Sequence, residues 1–392
     1  MTAWPTPAPR DGRTSATMTD MEPVLAGLIA RRAHIRTLGS YSARNTDDVA
    51  VALTRFFARE QPGATVSDTR RMGGGASKEQ FVFTLTTGDG EATRHVLRMD
   101  PLGSITETDR LREYEVLHAV QGIVPAPLPV WIDPDGSDFG QPAVIMTFVP
   151  GTTKPSDAAL RVSGLGTRLG PRLRDLLKQQ FLDNLVALHA LDWKTAQLPS
   201  YAVPDADPKQ AARWSLNFWR ALWQVDLVEE RPIAALAERW LEDNLPDARE
   251  LVLTHGDYRT GNYLFDEESG RIIAVLDWEL ARIGDYHEDL AWVLHTLFGH
   301  TEDGVFRASD LYERDAFIAA YSAATGRVVD PVTLHFYAVF CTYKTYVIVA
   351  ANGLACARAQ QNHQDVLLTF LAAAGPALAD SLCDHVEEGA RT

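Results

Sequence analysis

The chain has 392 residues and a formal net charge of −15 at pH 7, and 46% of its residues are hydrophobic. This composition is that of an ordinary folded protein with room for one large core or two lobes, and the acidity argues against a nucleic-acid-binding protein, which needs a basic patch. The three cysteines lack the paired spacing of a zinc site, the N-terminus lacks an apolar signal core, and no apolar stretch is expected to reach the ~18–20 residues of a membrane-spanning helix. We therefore expect a cytoplasmic protein whose partners include neither nucleic acid nor membrane.

The N-terminal part of the chain changes its periodicity twice. Residues 1–20 show no hydrophobic periodicity, which predicts a disordered tail. Residues 21–60 predict two helices, the second with an N-cap at Thr46-Asp47-Asp48. Residues 64–100 then show strand-like runs separated by turns.

A glycine-rich turn at residues 72–77 joins two of these strand-like runs. Because the turn connects strands and does not open a helix, it fits a dinucleotide-binding loop poorly and a kinase-type hairpin over nucleotide phosphates better. Backbone N–H groups beside small residues can approach phosphate oxygens closely. The candidate nucleotide contacts are Gly74, Gly75 and Ser77, and a plain flexible turn is the alternative.

Oxygen-bearing side chains gather in residues 251–292. Apolar runs at 251–253 and 272–276 predict two short buried strands, the first leading to His255-Gly256-Asp257 and the second to Asp277-Trp278-Glu279. Asn262 lies between them, five residues after Asp257. Carboxylate and amide oxygens suit Mg²⁺, and His-x-Asp-x-x-x-x-Asn followed by a second Asp is the arrangement that kinases use for phosphoryl transfer.

In such an arrangement one carboxylate orients the acceptor hydroxyl and takes its proton, while the amide oxygen and the second carboxylate hold the metal. Asp257 is accordingly the candidate catalytic base, and Asn262 and Asp277 are the candidate Mg²⁺ ligands. Each of them alone could equally be an ordinary turn former. Asp289 precedes an apolar helix, and we expect it to cap or brace the loop and not to touch substrate.

This stretch resembles the aminoglycoside phosphotransferase family of kinase-like small-molecule kinases, and most of all the branch associated with acyl-CoA dehydrogenases. The matching residues are His255, Gly256, Asp257, Arg259, Asn262, Asp277, Trp278, Glu279, Gly284, Asp285, Asp289 and Leu290. The resemblance implies a bilobal, protein-kinase-like α+β fold. A small antiparallel β N-lobe with N-terminal helices would span residues 21–150, and a larger, mainly helical C-lobe would span residues 151–385.

The resemblance also implies roles for residues of the N-lobe. Arg98 ends the third strand, where kinases in general carry a lysine for the α- and β-phosphates; an arginine is a planar fork, so its contact geometry must differ. Glu113 matches the acidic residue that pairs with this base, and Glu115 is a competing candidate. The strand at 143–149 is similar to the hinge between kinase lobes, with a plain core strand as the alternative. The candidate adenine neighbours in it are Met146, Phe148 and Val149.

Several residues of the helical region have two interpretations. His189 is expected to be a structural histidine, and the tryptophans of residues 208–245 are expected to be core, with an acceptor pocket as the alternative. Lys344 is either a lysine that reaches out from the edge of the core or a contact for an anionic acceptor.

The function implied by the resemblance is transfer of the γ-phosphoryl group of ATP (or GTP), with Mg²⁺, to a hydroxyl of a small-molecule acceptor. The acceptors it allows include aminoglycosides, sugars, amino alcohols and hydroxyacyl-CoA thioesters. The alternative is a non-catalytic, nucleotide-binding kinase relative. The departure at Arg98 favours this alternative, whereas the intact set of Asp257, Asn262 and Asp277 argues against it.

Overall fold

The computed structural model describes residues 20–73, 75, 77–156, 167–205 and 207–389. The predicted disordered tail, apart from Asp20, lies outside the described residues, and so does the candidate phosphate contact Gly74.

An antiparallel five-stranded sheet forms the N-lobe, with its strands in the order β1-β2-β3-β5-β4. The glycine-rich turn connects β1 to β2, as predicted. Helix α3 follows the third strand. The bounds of these elements are β1 (Thr65–Arg71), β2 (Glu79–Thr86), β3 (Ala92–Met99), α3 (Arg110–Ala119), β4 (Pro129–Asp133) and β5 (Ala143–Thr147).

Helix α2 (Thr46–Glu60) covers one face of this sheet through its apolar side. The Phe57 ring lies 5.7 Å from the Phe83 ring and 4.8 Å from the Trp131 ring, measured between centroids. The N-cap of the helix is Asn45, whose side chain accepts a hydrogen bond from the backbone N–H of Asp48. The predicted N-cap at Thr46 is therefore one residue late, because asparagine caps a helix at least as well as threonine.

The other face of the sheet borders the C-lobe. Val82, Val96 and Met146 lie opposite one another on β2, β3 and β5, and Val96 and Met146 belong to the same buried cluster as the C-lobe core. Side chains two residues apart on a strand share a face, so Arg98 points the same way as Val96. The face of the sheet that borders the C-lobe therefore carries a row of apolar side chains with the guanidinium of Arg98 beside it.

Helix α1 (Pro23–Ile35) joins the C-lobe through an ion pair. Arg32 Nε donates to Asp226 Oδ2 over 2.7 Å, and Asp226 is the last residue of the C-lobe helix Gln210–Asp226. Arg32 Nη1 also donates to the Ser104 carbonyl over 2.9 Å, so α1 contacts both lobes and the lobe boundary at residue 21 stays a prediction.

The C-lobe is mainly helical, as predicted. Trp219 and Trp223 are buried in its core. Its helices are α4 (Gly170–Ala190), α5 (Gln210–Asp226), α6 (Pro232–Asp243), α7 (His287–Val293), α8 (Arg314–Thr325), α9 (Pro331–Val347), α10 (Leu354–Ala359), α11 (Asp365–Ala372) and α12 (Gly375–Gly389).

One continuous helical segment, Pro331–Ala359, is long and apolar enough to cross a membrane by length and composition. The expectation that no segment reaches this length was wrong. The segment consists of α9, a π-helix at Ile348–Gly353 and α10. Within the structure 78% of its apolar window is buried, as in the core helix of a folded lobe.

Short antiparallel strand pairs position the predicted catalytic segments. Strand β6 (Leu251–Thr254) pairs with β9 (Arg282–Asp285), and β7 (Tyr263–Asp266) pairs with β8 (Arg271–Val275). Asp257 follows β6, Asn262 precedes β7 and Asp277 follows β8, so strand pairing brings the three segments to one region. A third pair, β10 (His300–Glu302) and β11 (Val305–Arg307), follows α7.

Candidate active site

Two neighbouring loops are joined by hydrogen bonds at the predicted site. The backbone N–H of Leu276 donates to the carbonyl of Asn262 over 2.8 Å, and His255 Nε2 lies 2.9 Å from the carbonyl of Leu276. The Asp257 N–H donates to His255 Nδ1 over 3.1 Å, which leaves the proton of the ring on Nε2. Burial lowers the pKa of His255, so the ring is neutral and acts as a fixed spacer between the loops.

Gly256 allows these loops to approach closely. Its φ is +78°, and a Cβ there would lie 2.5 Å from the carbonyl oxygen of Leu280. Only glycine fits both the left-handed conformation and this contact. The segment Trp278–Leu280, a short 3₁₀ turn, is therefore packed directly against the loop that carries Asp257.

The Asp257 carboxylate is held by donors on both oxygens. Oδ1 accepts from Arg259 Nε over 2.9 Å and from Trp292 Nε1 over 2.6 Å, and Oδ2 accepts from Asn262 Nδ2 over 2.6 Å. About a fifth of the side chain is exposed, at 19%. A carboxylate fixed in this way is oriented before a substrate arrives, and it remains within reach of the cleft.

Asn262 and Asp277 present oxygen atoms of the kind that Mg²⁺ prefers. The Asn262 amide nitrogen is used by Asp257, both at Oδ2 and at the backbone carbonyl, which turns its Oδ1 the other way. Asp277 has a left-handed backbone, with φ 62° and ψ 52°, and its side chain is 37% exposed. A carboxylate and an amide oxygen on adjoining loops fit a metal that keeps waters and substrate phosphates as its remaining ligands.

Arg98 connects the N-lobe sheet with this site. Its Nη1 lies 2.8 Å from Glu113 Oε1, and its Nη2 donates to Asp277 Oδ1 over 2.5 Å. The competing candidate, Glu115, instead accepts hydrogen bonds from the backbone and hydroxyl of Ser200. The structure therefore pairs Arg98 with Glu113, as expected, and adds a contact with the candidate metal ligand.

Glu279 and Lys78 belong to the same ionic cluster, and sequence reasoning gave neither a role at the site. Glu279 Oε2 lies 3.2 Å from Arg98, 3.3 Å from Arg110 and 3.5 Å from Lys78. Lys78 is fully buried and also contacts Asp100 at 3.0 Å. Burial would raise the pKa of Glu279, but the three cations lower it to about 2. The signal for Lys78 was its position directly after the glycine-rich turn.

The charges of this cluster leave a negative excess at Asp277. Its cations are three, and its carboxylates are four. The cations are Lys78, Arg98 and Arg110, and the carboxylates are Asp100, Glu113, Asp277 and Glu279. Because Asp277 is the most exposed of the four, the unbalanced charge faces the cleft, where a divalent cation would be attracted.

Asp289 braces the loop that carries Asp257, as expected. Its two oxygens accept from the backbone N–H groups of His255, over 2.7 Å, and Gly256, over 2.8 Å. His189 Nε2 lies 3.1 Å from the same carboxylate, and its Nδ1 lies 2.8 Å from the hydroxyl of Tyr321. Burial alone would raise the pKa of Asp289, but the hydrogen bond and charge of His189 lower it. His189 is thus part of the scaffold, in agreement with its expected structural role.

Lys344 departs from both sequence interpretations. Its side chain is fully buried, so it neither reaches out from the core edge nor lies free for an anionic acceptor. Its Nζ donates to the Gly256 carbonyl over 2.5 Å and lies 4.0 Å from the centre of the Trp292 ring. The lysine therefore supports the loop of Asp257 from behind.

The described residues of the glycine-rich turn, Gly75 and Ser77, contact segments that are distant in the sequence. Gly75 has a φ of +82°, and its carbonyl lies 3.2 Å from His363 Nε2 in the loop before α11. The Ser77 carbonyl accepts from the Ser104 hydroxyl over 3.1 Å, and the Ser77 side chain hydrogen-bonds to Glu279. Ser77 thus reaches the ionic cluster, and its predicted contact with phosphate stays a prediction.

The predicted adenine neighbours lie at the end of β5. Met146 is buried beside Val96, and Phe148 and Val149 follow the strand and are half-buried. The guanidinium of Arg94 lies 3.8 Å from the centre of the Phe148 ring. A cavity of about 460 Å³ adjoins this side of the sheet. It is lined by Asp68, Thr69, Arg70, Val82, Phe83, Thr84 and Arg94.

Comparison with known proteins places this chain in a family. Residues 68–334 match the model described as "Phosphotransferase enzyme family". Acyl-CoA dehydrogenase family member 11 of Pongo abelii is 31% identical over 243 residues, which are 61% of this chain and 29% of that protein. The protein of the same name from Gallus gallus is 29% identical over 314 residues, or 75% of this chain and 38% of that protein. The chain thus spans well under half the length of these relatives.

Solved structures show the same architecture. A Ralstonia eutropha protein assigned as an aminoglycoside phosphotransferase superposes with a TM-score of 0.62 at 21% identity, covering 86% of this chain and 98% of that one. An aminoglycoside phosphotransferase with GDP and kanamycin gives 0.52 at 18% identity, covering 85% and 99%. Plasmodium vivax ethanolamine kinase gives 0.53 at 10% identity, covering 94% of each chain.

These similarities confirm the predicted bilobal, kinase-like α+β fold. The matched segment also includes every candidate site residue from Gly74 to Asp289. The chain belongs to the phosphotransferase enzyme family.

Proposed function

We propose that the protein transfers the γ-phosphoryl group of ATP to a hydroxyl group of a small molecule. The observation that carries this proposal is the hydrogen-bonded unit of Asp257 and Asn262, joined through Leu276 to the loop of Asp277, with Arg98 of the N-lobe bonded to Asp277. GTP is the alternative donor, since structural neighbours were solved with GDP.

In this proposal Asp257 serves as the base. Arg259 and Trp292 hold its Oδ1 and Asn262 holds its Oδ2, so the carboxylate does not need to reorient during the reaction. The acceptor oxygen would attack the γ-phosphorus while its proton passes to Asp257. The bond between the γ-phosphorus and the β–γ bridging oxygen would break, and the nucleoside diphosphate would leave with that electron pair.

The remaining residues would position the nucleotide. Asn262 Oδ1 and the Asp277 carboxylate would hold Mg²⁺, which when bound offsets the negative charge of the phosphates. Arg98, anchored by Glu113, would contact the phosphates from the N-lobe side. The turn residues Gly74, Gly75 and Ser77 would offer backbone N–H groups to the phosphates. The proposed neighbours of the adenine ring are Met146, Phe148 and Val149.

Among acceptors, a hydroxyacyl-CoA thioester is our preferred class. The named relatives are acyl-CoA dehydrogenase family members, which supports an acyl-CoA-type acceptor. The net charge of −15 would attract a polycationic aminoglycoside, so this class stays in the acceptor screen as the competing acceptor.

An acceptor screen with the purified protein tests this function. Conversion of ATP to ADP and formation of a phosphorylated product would be followed with a hydroxyacyl-CoA, ethanolamine, glucose and kanamycin, each with and without Mg²⁺. We expect Mg²⁺-dependent product with at least one acceptor, formed at least ~100-fold more slowly by Asp257→Asn at the same enzyme concentration. Mg²⁺-dependent nucleotide binding without turnover on the whole panel would instead support the non-catalytic binding relative.

A further inference from the structure

Two histidines and a glutamate, side chains of types that can ligate a metal, converge in the C-lobe, and none of them takes part in the proposed reaction. His335 lies on α9, and His385 and Glu388 lie on α12. One ligand atom from each of the three lies within 4.8 Å of the others. His385 and Glu388 are three residues apart on a helix, so they share a face, and that face meets the first turns of α9.

The cluster is held in place by its surroundings. The Trp240 ring of α6 packs edge-on against the His335 ring, with centroids 5.7 Å apart. The two histidine rings lie 6.2 Å apart, and His335 Nε2 lies 3.1 Å from the backbone carbonyl of His385. Packing and this hydrogen bond therefore hold the two half-buried histidines in place, and the exposed Glu388 lies at the edge of the cluster.

We propose that His335, His385 and Glu388 bind a divalent transition-metal ion, with Zn²⁺ as the best match. Two imidazole nitrogens and one carboxylate oxygen are a donor set that Zn²⁺ accepts with water as a fourth ligand. Hard cations such as Mg²⁺ and Ca²⁺ prefer all-oxygen sites, so this cluster differs in chemistry from the Asn262–Asp277 pair.

The bound ion would fasten α12 to α9. Helix α9 also carries Lys344, which supports the loop of Asp257 through the Gly256 carbonyl. The site is independent of the proposed phosphoryl transfer, and its effect would be on the stability of the C-lobe.

Calorimetric titration of the tag-free, full-length, metal-stripped protein with ZnCl₂ tests this proposal without nucleotide. We expect a high-affinity site with one Zn²⁺ per chain, binding weakened by ~10-fold or more in His385→Gln and in Glu388→Gln, and a Zn²⁺-dependent rise in Tm that both variants lose. Glu388 is exposed, so its variant keeps the test valid if His385→Gln folds poorly.

Two matched controls locate the ion. His34→Gln removes an exposed histidine on α1, and Cys383→Ser removes an exposed thiol two residues from His385; both should bind Zn²⁺ as the unaltered chain does. No binding, binding unchanged in His385→Gln and Glu388→Gln, or binding lost in Cys383→Ser would each overturn the assignment.

Discussion

Arg98 and Asp277 meet across the two lobes, with Nη2 and Oδ1 2.5 Å apart, although 179 residues separate them in the chain. Arg98 approaches from the β3 strand, and Asp277 sits in a left-handed turn after β8. The same guanidinium contacts Glu113 and Glu279. One side chain thus connects the sheet, helix α3 and the candidate metal ligand.

Arg98→Lys should weaken the use of ATP far more than it weakens the fold. A lysine keeps one positive charge, but it cannot contact Glu113 and Asp277 at the same time with a planar fork. We expect kcat/KM for ATP to fall by ~10-fold or more, which corresponds to about 1.4 kcal/mol of transition-state stabilisation. Steady-state kinetics with varied ATP would measure this, and Arg55→Lys on the exposed side of α2 is the control. Unchanged kinetics in Arg98→Lys would show that the planar guanidinium of Arg98 has no role in the use of ATP.

Glu279→Gln should lower stability in a way that depends on pH. The folded pKa of Glu279 is about 2 against an ordinary 4.5, so the stability from its charge is fully present above pH 4.5 and is lost as pH falls towards 2. The shift corresponds to about 3 kcal/mol at most. Urea unfolding of both proteins between pH 2 and 7 should show a large difference at pH 7 that shrinks below pH 4.5. The exposed-site variant Glu60→Gln should show no such trend, and a pH-independent difference for Glu279→Gln would contradict the assigned charge state.

Asp289→Asn should disturb the loop of Asp257. The amide has only one oxygen, so its NH₂ group would face a donor, either a backbone N–H of the loop or His189. An unsatisfied buried donor costs about 1–3 kcal/mol. We expect a loss of unfolding free energy of that size together with a lower kcat. Asp192→Asn, at an exposed position after α4, is the matched control, and a variant with unaltered stability and turnover would refute the bracing role.

Asn352→Leu should make the protein more stable. Asn352 is fully buried in the π-helix Ile348–Gly353, and within the described residues neither its Nδ2 nor its Oδ1 has a hydrogen-bond partner. Leucine has a similar size and removes the unpaired amide, so the unfolding free energy should rise by about 1 kcal/mol. Thermal and urea unfolding would measure the change. A comparable loss of stability would show that the amide is hydrogen-bonded in solution.

The sequence allowed the core of the site to be predicted because its chemistry is local. Asp257, Asn262 and Asp277 lie within 21 residues, at the ends of short strands. The apolar runs predict these strands, and the polar residues that follow them predict the turns. The Arg98–Glu113 pair was predictable from the resemblance alone, since no local signal links a strand to the following helix.

The ionic cluster around Glu279 could not be predicted in this way. Lys78 and Glu279 are about 200 residues apart, and each is an ordinary surface residue by type. Lys344 was misjudged for a related reason, because its helix is apolar all round and only packing shows that its charge is buried against Gly256 and Trp292. Long-range pairing of charges is a property of the folded lobes and leaves no periodic trace in the chain.

The rate of phosphoryl transfer by Asp257→Asn, measured with saturating ATP, Mg²⁺ and an acceptor, tests the central claim most directly. The substituted amide keeps the size of the side chain but cannot take the proton of the acceptor hydroxyl, so kcat should fall by ~10²–10⁴-fold while the variant stays folded and still binds nucleotide. A variant that turns over at nearly the original rate would contradict the assignment of Asp257 as the base and, with it, the proposed site.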